Sequence, residues 1–234
     1  MTPLLAFEDL TVRYGDIPAL SGISFELHEG ETLALVGANG AGKSTLLKAL
    51  CGLVDNLQGR IAVEGTAVKP GEAETTSERG IALVPEGRLL FNSLSVEENL
   101  KIGQTSRKGP WTLEAIYELF PILKERRRQN PGHLSGGQQQ MVAIGRALAS
   151  NPRLLLFDEI SLGLSPKVTA DVYAALDPIR QAGVSMLIVD QDIARVCKQA
   201  NRVVCLLKGT VSHIGPASGV TADSLKHAYF GASK

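Results

Sequence analysis

Residues 37–45 read Gly37-Ala38-Asn39-Gly40-Ala41-Gly42-Lys43-Ser44-Thr45, behind the strand-like run TLALV and ahead of the apolar stretch LLKALCGL. The glycines let backbone N–H groups turn inward. A helix starting just beyond them adds the partial positive charge of its N-terminus. The result is a cradle for phosphate oxygens, in the strand–turn–helix context that this chemistry needs. Lys43 can reach the β- and γ-phosphates of a nucleotide such as ATP, and the Ser44 hydroxyl can ligate Mg²⁺.

Composition narrows the setting. The 234 residues are 44% hydrophobic but only 5% aromatic, so the core must be built from Leu, Val, Ile and Ala. Basic and acidic residues number 24 each, which leaves no basic excess of the kind a nucleic-acid binder carries. Runs such as Leu154 to Phe157 and Val203 to Leu207 are strand-sized, well short of a membrane span. The opening MTPLLAFEDL has no basic region followed by a long apolar one, so no secretory signal is expected. Cys51, Cys197 and Cys205 form no CxxC pair and read as reduced, mostly buried thiols of a cytoplasmic protein.

Short apolar runs alternate with longer amphipathic stretches, the pattern of an α/β fold. Strands are expected near Leu4–Val12, Ile23–His28, Thr32–Val36, Arg60–Val63, Gly80–Val84, Arg153–Phe157, Ser185–Val189, Arg202–Leu207 and Thr210–Ile214. Helices are expected at Gly42–Gly52, Val96–Lys101, Leu113–Phe120, Gly136–Ala149, Pro166–Gln181, Ile193–Gln199 and Ala222–Phe230. Residues 89–150 show helical patterns and no strand, and read as a helical insert in a sheet domain. Lys124–Arg128 (KERRR) reads as a solvated helix end.

Two further segments carry chemistry. In Leu154-Leu-Leu-Phe-Asp158-Glu159 a buried strand ends in two carboxylates, at the end of a sheet where α/β proteins bind ligands. Asp158 suits Mg²⁺, and Glu159 is placed to polarise a water for attack on a γ-phosphate. In Leu134-Ser135-Gly136-Gly137-Gln138, Ser135 is a natural N-cap. The two glycines after it expose N–H groups at a helix start, a second anion site. Taken alone, that segment is an ordinary capped helix. Two anion sites in one chain make sense if a nucleotide is shared between chains.

These three segments, in this order, resemble the ATP-binding cassette (ABC) family over essentially the whole chain. The resemblance implies a P-loop NTPase with a RecA-like core, an N-terminal antiparallel β portion and a helical subdomain. Residues 1–234 would then be one ATP-binding domain, with about 1–88 and 151–234 as core and about 89–150 as the helical subdomain. It also implies a head-to-tail dimer, with each ATP between Gly37–Thr45 of one subunit and Ser135, Gly136, Gly137 and Gln138 of the other. Tyr14, in VRYGDIPAL, matches the position where an aromatic ring stacks on adenine.

Within the family, Val84-Pro-Glu-Gly-Arg88 followed by LLFNSLSVEENL is similar to the smaller ATPase subunit of branched-chain amino acid importers. So are Ser161-Leu-Gly-Leu-Ser-Pro166, Val189-Asp-Gln-Asp192 and Ala228-Tyr-Phe-Gly231. This implies a second, non-identical ATPase subunit, two membrane permease subunits and a periplasmic solute receptor as partners. The chain would sit on the cytoplasmic, inner face of the cell membrane. Relatives of similar design carry urea, short amides or other small organic acids. Whether the isolated chain forms a homodimer is left open.

The departures from the family pattern fall at the reacting end. Glu86 stands where most members have the glutamine that reaches Mg²⁺ and the attacking water. A carboxylate can approach Mg²⁺ but cannot donate as an amide does. Gln191 stands where most have a histidine contacting the γ-phosphate, and it cannot carry a proton as imidazole can. Ser165 replaces an aspartate at the dimer seam, and Ile160 a proline. Two other roles compete with an importer ATPase. A soluble ABC ATPase of DNA repair or translation would carry a tandem cassette or a long coiled-coil insert, and neither is visible. A subunit that binds ATP chiefly as a clamp is suggested by Gln191 and opposed by Glu159.

Overall fold

The computed structural model describes residues 2–220. The expected helix Ala222–Phe230 lies outside the described residues. In chain order the elements are β1 (Leu5–Tyr14), β2 (Ile17–Leu27), β3 (Thr32–Gly37), α1 (Lys43–Leu50), β4 (Leu57–Val63), β5 (Thr66–Ala67) and α2 (Ala73–Glu78). Then come β6 (Ile81–Val84), α3 (Val96–Ile102), α4 (Leu113–Leu119), α5 (Pro121–Glu125), a 3₁₀ turn at Pro131–His133 and α6 (Gly136–Leu148). The last are β7 (Leu154–Asp158), α7 (Pro166–Ala174), α8 (Leu176–Gln181), β8 (Ser185–Val189), α9 (Ile193–Gln199), β9 (Arg202–Leu207) and β10 (Thr210–Pro216). They pack as two compact units, one running to Arg79 and resuming at Ser185, the other Gly80–Val184.

The first unit holds two groups of strands. β2, β1, β4 and β5 lie side by side, all antiparallel. β3 lies between β9 and β8 and is parallel to both, with β10 antiparallel on the far side of β9. Every residue of β3 and β8 is buried. That is why these strands read as unbroken apolar runs and not as an alternation. α1 seals the core with Leu46, Leu47, Ala49 and Leu50.

In the second unit β6 and β7 run parallel, from Ile81 opposite Leu154 to Val84 opposite Phe157. This register makes the segments starting at Pro85 and Asp158 leave from the same edge. α3, α5 and α6 pack on one another. The expected helical stretch 89–150 contains no strand. In the KERRR run, Lys124, Arg126 and Arg128 are exposed.

Several expected boundaries are corrected. The strand expected from Ile23 begins at Ile17, because Pro18 and Leu20 pair with Arg13 and Val12 of β1. The single helix expected over Pro166–Gln181 is two, α7 and α8, joined at Ala175. Pro178 has no N–H to return to the carbonyl of Ala174. α2 and α5 were not expected. The α2 sequence AETTSE has no apolar periodicity, and α5 starts on Pro121, which takes the first helical position.

Candidate nucleotide site

In the first unit, β3 delivers Gly37 at its C-terminal end, and α1 opens at Lys43 six residues later. Gly42 caps α1 at φ 105°, a left-handed conformation. A Cβ there would lie 2.8 Å from the carbonyl of Ala19 and 2.5 Å from Leu20 Cδ2, so only glycine fits. Ala41 N–H bonds to Ala38 O at 3.0 Å, closing a tight turn. Asn39 and Gly40 at its tip are exposed, and Ser44 and Thr45 on α1 are half-buried. Lys43 is only 5% exposed, and its Nζ donates to the carbonyls of Gly37 and Ala38 at 2.8 and 3.1 Å. The ammonium is therefore held at the mouth of the loop by the loop itself. A buried cation, a helix N-terminus and a glycine bend converge on one spot, which fits a polyphosphate.

Two other expected site residues, Gln191 and Tyr14, lie in this unit. Asp190, directly after β8, is 2% exposed, and its Oδ1 accepts from Asp192 N–H at 2.9 Å. Asp192 in turn caps α9 by accepting from Arg195 N–H. Between them Gln191 is exposed. Tyr14, 50% exposed, closes β1 opposite Ile17. The Cys205 thiol, on β9 beside β3, is pushed up by burial, against the opposing pulls of Ser212 and the Lys43 charge.

The second unit carries Glu86, Asp158 and Glu159, which the β6–β7 register brings to one edge. Asp158 is buried. Glu159 is half-buried and sits at φ 54°, a left-handed conformation that costs a non-glycine residue about 1–3 kcal/mol. Glu86 is exposed. Among the described residues no three His, Cys, Asp or Glu side chains gather as a ready-made metal cage. A hydroxyl and carboxylates are the donors Mg²⁺ uses when phosphates and waters complete its shell.

Ser135 caps α6 in a reciprocal box. Its Oγ accepts from Gln138 N–H, and Gln138 Oε1 accepts from Ser135 N–H at 3.0 Å. Gly136 is half-buried and Gly137 buried.

Three residues that sequence reasoning missed support this unit. Asn99, fully buried on α3, accepts from Phe91 N–H and donates to the carbonyls of Phe91 and Ser95. Arg146 on α6 donates to the carbonyls of Leu89 and Arg88 at 2.8 and 2.9 Å and lies 5.5 Å over the Phe91 ring. Arg88 bonds to Gln139, Gln140 and Leu162. A polar residue on a helix face that is otherwise buried was the available signal for Asn99. The partners of the two arginines lie more than 50 residues away, beyond any local spacing.

Comparison with known proteins identifies the family. Residues 20–161 match the family model described as ABC transporter. The chain is 42% identical over 232 residues to the high-affinity branched-chain amino acid transport ATP-binding protein BraG of Pseudomonas aeruginosa, covering 97% of this chain and 100% of that one. It is 36% identical to the methionine import ATP-binding protein MetN of Mesorhizobium japonicum, over 92% of this chain but only 61% of that longer one. Among solved structures, the ATP-binding cassette MJ0796, a dimer in a post-hydrolysis state bound to ADP and Pi, superimposes with a TM-score of 0.78. That match has 26% identity and covers 92% of this chain and 100% of that one. No helix of the described residues is long and apolar enough to cross a membrane. The chain belongs to the ABC transporter family and is one of its ATP-binding ATPase subunits.

Proposed function

We propose that this subunit energises the uptake of branched-chain or other hydrophobic amino acids by an importer. The observation that carries the proposal is the 42% identity to BraG, which spans the whole of that protein. We read residues 1–234 as one ATP-binding domain, with about 89–150 as its helical subdomain. Its partners are a second, non-identical ATPase subunit, two membrane permease subunits and, indirectly, a periplasmic receptor. It works at the inner face of the cell membrane.

The roles follow from residue chemistry. Gly37, Asn39, Gly40, Gly42 and Thr45 shape the loop that holds phosphate, with Lys43 as its cation. Tyr14 stacks on the adenine. Ser44, Asp158 and Glu86 would hold Mg²⁺, which when bound offsets phosphate charge. Glu159 accepts the proton of the attacking water, and Gln191 orients the γ-phosphate by hydrogen bonding. Ser135, Gly136, Gly137 and Gln138 complete the partner subunit's site, where their N–H groups favour an anion. The chemistry is positioning and electrostatics, with no covalent step on the protein.

The test is recovery of the tagged chain from gently solubilised membranes of its host. A second cassette ATPase and two membrane proteins should co-purify, and the complex should hydrolyse ATP faster when receptor and a branched-chain amino acid are added. Lys43→Ala should abolish binding of a fluorescent ATP analogue. Recovery only with ribosomal or DNA-bound proteins would overturn the transport role. Unchanged analogue affinity in Lys43→Ala would overturn the phosphate-loop assignment.

A further inference from the structure

The turn that follows β6 is strained and heavily braced. Arg88 and Leu89 both adopt left-handed backbone conformations, at φ 68° and 43°. This conformation is unfavourable for any residue but glycine, so two in succession persist only if neighbours hold them. Arg146 does so by donating to both of their carbonyls, and burial pulls its guanidinium pKa below the usual value. This fixes the backbone two residues after Glu86.

The Arg88 side chain then reaches outward. Its Nε donates to Gln140 Oε1 at 3.3 Å, its Nη1 to Gln139 Oε1 at 3.4 Å and its Nη2 to the carbonyl of Leu162 at 3.4 Å. Gln139 and Gln140 lie on the first turns of α6, directly after the Ser135–Gln138 cap. Gln140 is buried, and Gln139 is itself tied back to the carbonyls of Pro131 and Leu134. Leu162 lies three residues beyond Glu159, in a turn closed by Leu162 N–H to Glu159 O. A Cβ on Gly136 would meet Arg88 Nη2 at 3.4 Å, so the guanidinium is also packed against the start of α6.

We propose that Arg88 is a positioning residue that yokes three pieces of one chain: the turn bearing Glu86, the capped start of α6, and the segment following Glu159. The planar fork is what makes this feasible, because it has donors pointing in three directions. A displacement of the α6 start is thereby passed to the carboxylates through one side chain, not through the backbone alone. None of these bonds goes to Glu86, Asp158 or Glu159. The inference rests on the ATPase reading above and assigns a residue to it.

The test compares Arg88→Met and Arg88→Lys with wild type in the purified transporter complex, and Arg88→Met with Gln139→Ala in a double-mutant cycle. Methionine keeps the apolar stem while removing the fork. Arg88→Met should lower kcat about ten- to a hundredfold, the scale of a small misplacement of catalytic groups. KM for ATP, and the affinity of the isolated chain for a fluorescent ATP analogue, should stay within about twofold. Lysine, with one compact charge, should restore only part of the rate. The losses from Arg88→Met and Gln139→Ala should be less than additive. Should Arg88→Met prove too unstable to purify, the rate of Gln139→Ala alone, lowered at constant KM, carries the same expectation. An unchanged kcat in a folded variant, or KM and kcat falling together with additive losses, would overturn the role of Arg88 and leave the ATPase reading intact. Absence of turnover in the wild-type complex would overturn both.

Discussion

Gly137, in the first turn of α6, lies directly against Val168 on α7, and a Cβ on Gly137 would collide with Val168 Cγ1. The glycine pair after Ser135 therefore has a packing reason beside the anion-binding role proposed for it. Gly137→Ala would gain helix propensity of about 0.5–1 kcal/mol. Against this stands an overpacking cost of about 1–3 kcal/mol, because Val168 is β-branched and cannot swing aside freely. The clash should win. Urea unfolding should show a net loss of about 1 kcal/mol or more, and adding Val168→Ala should recover most of it. A neutral or stabilising Gly137→Ala would mean that the two helices part easily.

Asn99 gives a sharper stability prediction. Asn99→Leu keeps the volume but strands the Phe91 N–H, while the carbonyls of Phe91 and Ser95 lose one donor each and keep the backbone N–H groups of Leu94 and Asn99. A buried group left unpaired costs about 1–3 kcal/mol, and one such group remains, so the loss should be about 1–3 kcal/mol. Hydrogen exchange should show the Phe91 amide losing its protection first. A loss under 1 kcal/mol would show that water replaces the asparagine.

How far the sequence could be read depended on how local each relationship is. Lys43 was readable because it bonds to carbonyls five and six residues upstream, a reach set by the loop spacing. β9 and α9 fell where expected, since a buried parallel strand and a short amphipathic helix announce themselves in composition. β2 was cut short because its first half is mostly exposed and is held by pairing with β1, which no local pattern records. Arg88 and Arg146 were passed over for the same reason on a larger scale. Their partners are 51 to 74 residues distant, and the left-handed turn they brace carries no glycine at its two strained positions.

The start of α3 should respond to acid. Ser95 and Glu98 form a second capping box, with Glu98 Oε2 accepting from Ser95 Oγ at 2.6 Å and from Ser95 N–H at 2.7 Å. The Ser95 hydroxyl and then its backbone N–H hold the Glu98 carboxyl below its usual value of 4.5. Next to it, Glu97 is lowered first by its hydrogen bond with Lys101 and further by Tyr117 and Arg127. Both folded values are depressed, so their stabilisation is fully present above about pH 4.5 and is lost as pH falls through the folded values. NMR titration of the side-chain carboxyls should place both midpoints below 4.5. Ser95→Ala should return Glu98 towards 4.5 and leave Glu97 low. A Glu98 midpoint unmoved by Ser95→Ala would deny the serine its role in the box.

Substitution at Glu159, the base proposed above, tests whether this subunit hydrolyses ATP on its own account. Its left-handed backbone fixes where the side chain leaves β7, and glutamine can occupy that conformation at similar cost. Glu159→Gln therefore changes little but the ability to accept a proton. If Glu159 is the general base at this subunit's site, that site's turnover should fall by about 10²–10⁴ while ATP affinity is kept. Gln191, which cannot relay a proton as histidine does, should not compensate. In the intact complex, single-turnover measurements with the partner ATPase separately disabled would assign the loss to this site. Full turnover in Glu159→Gln under those conditions would make the subunit a nucleotide-binding clamp whose partner supplies the hydrolysis.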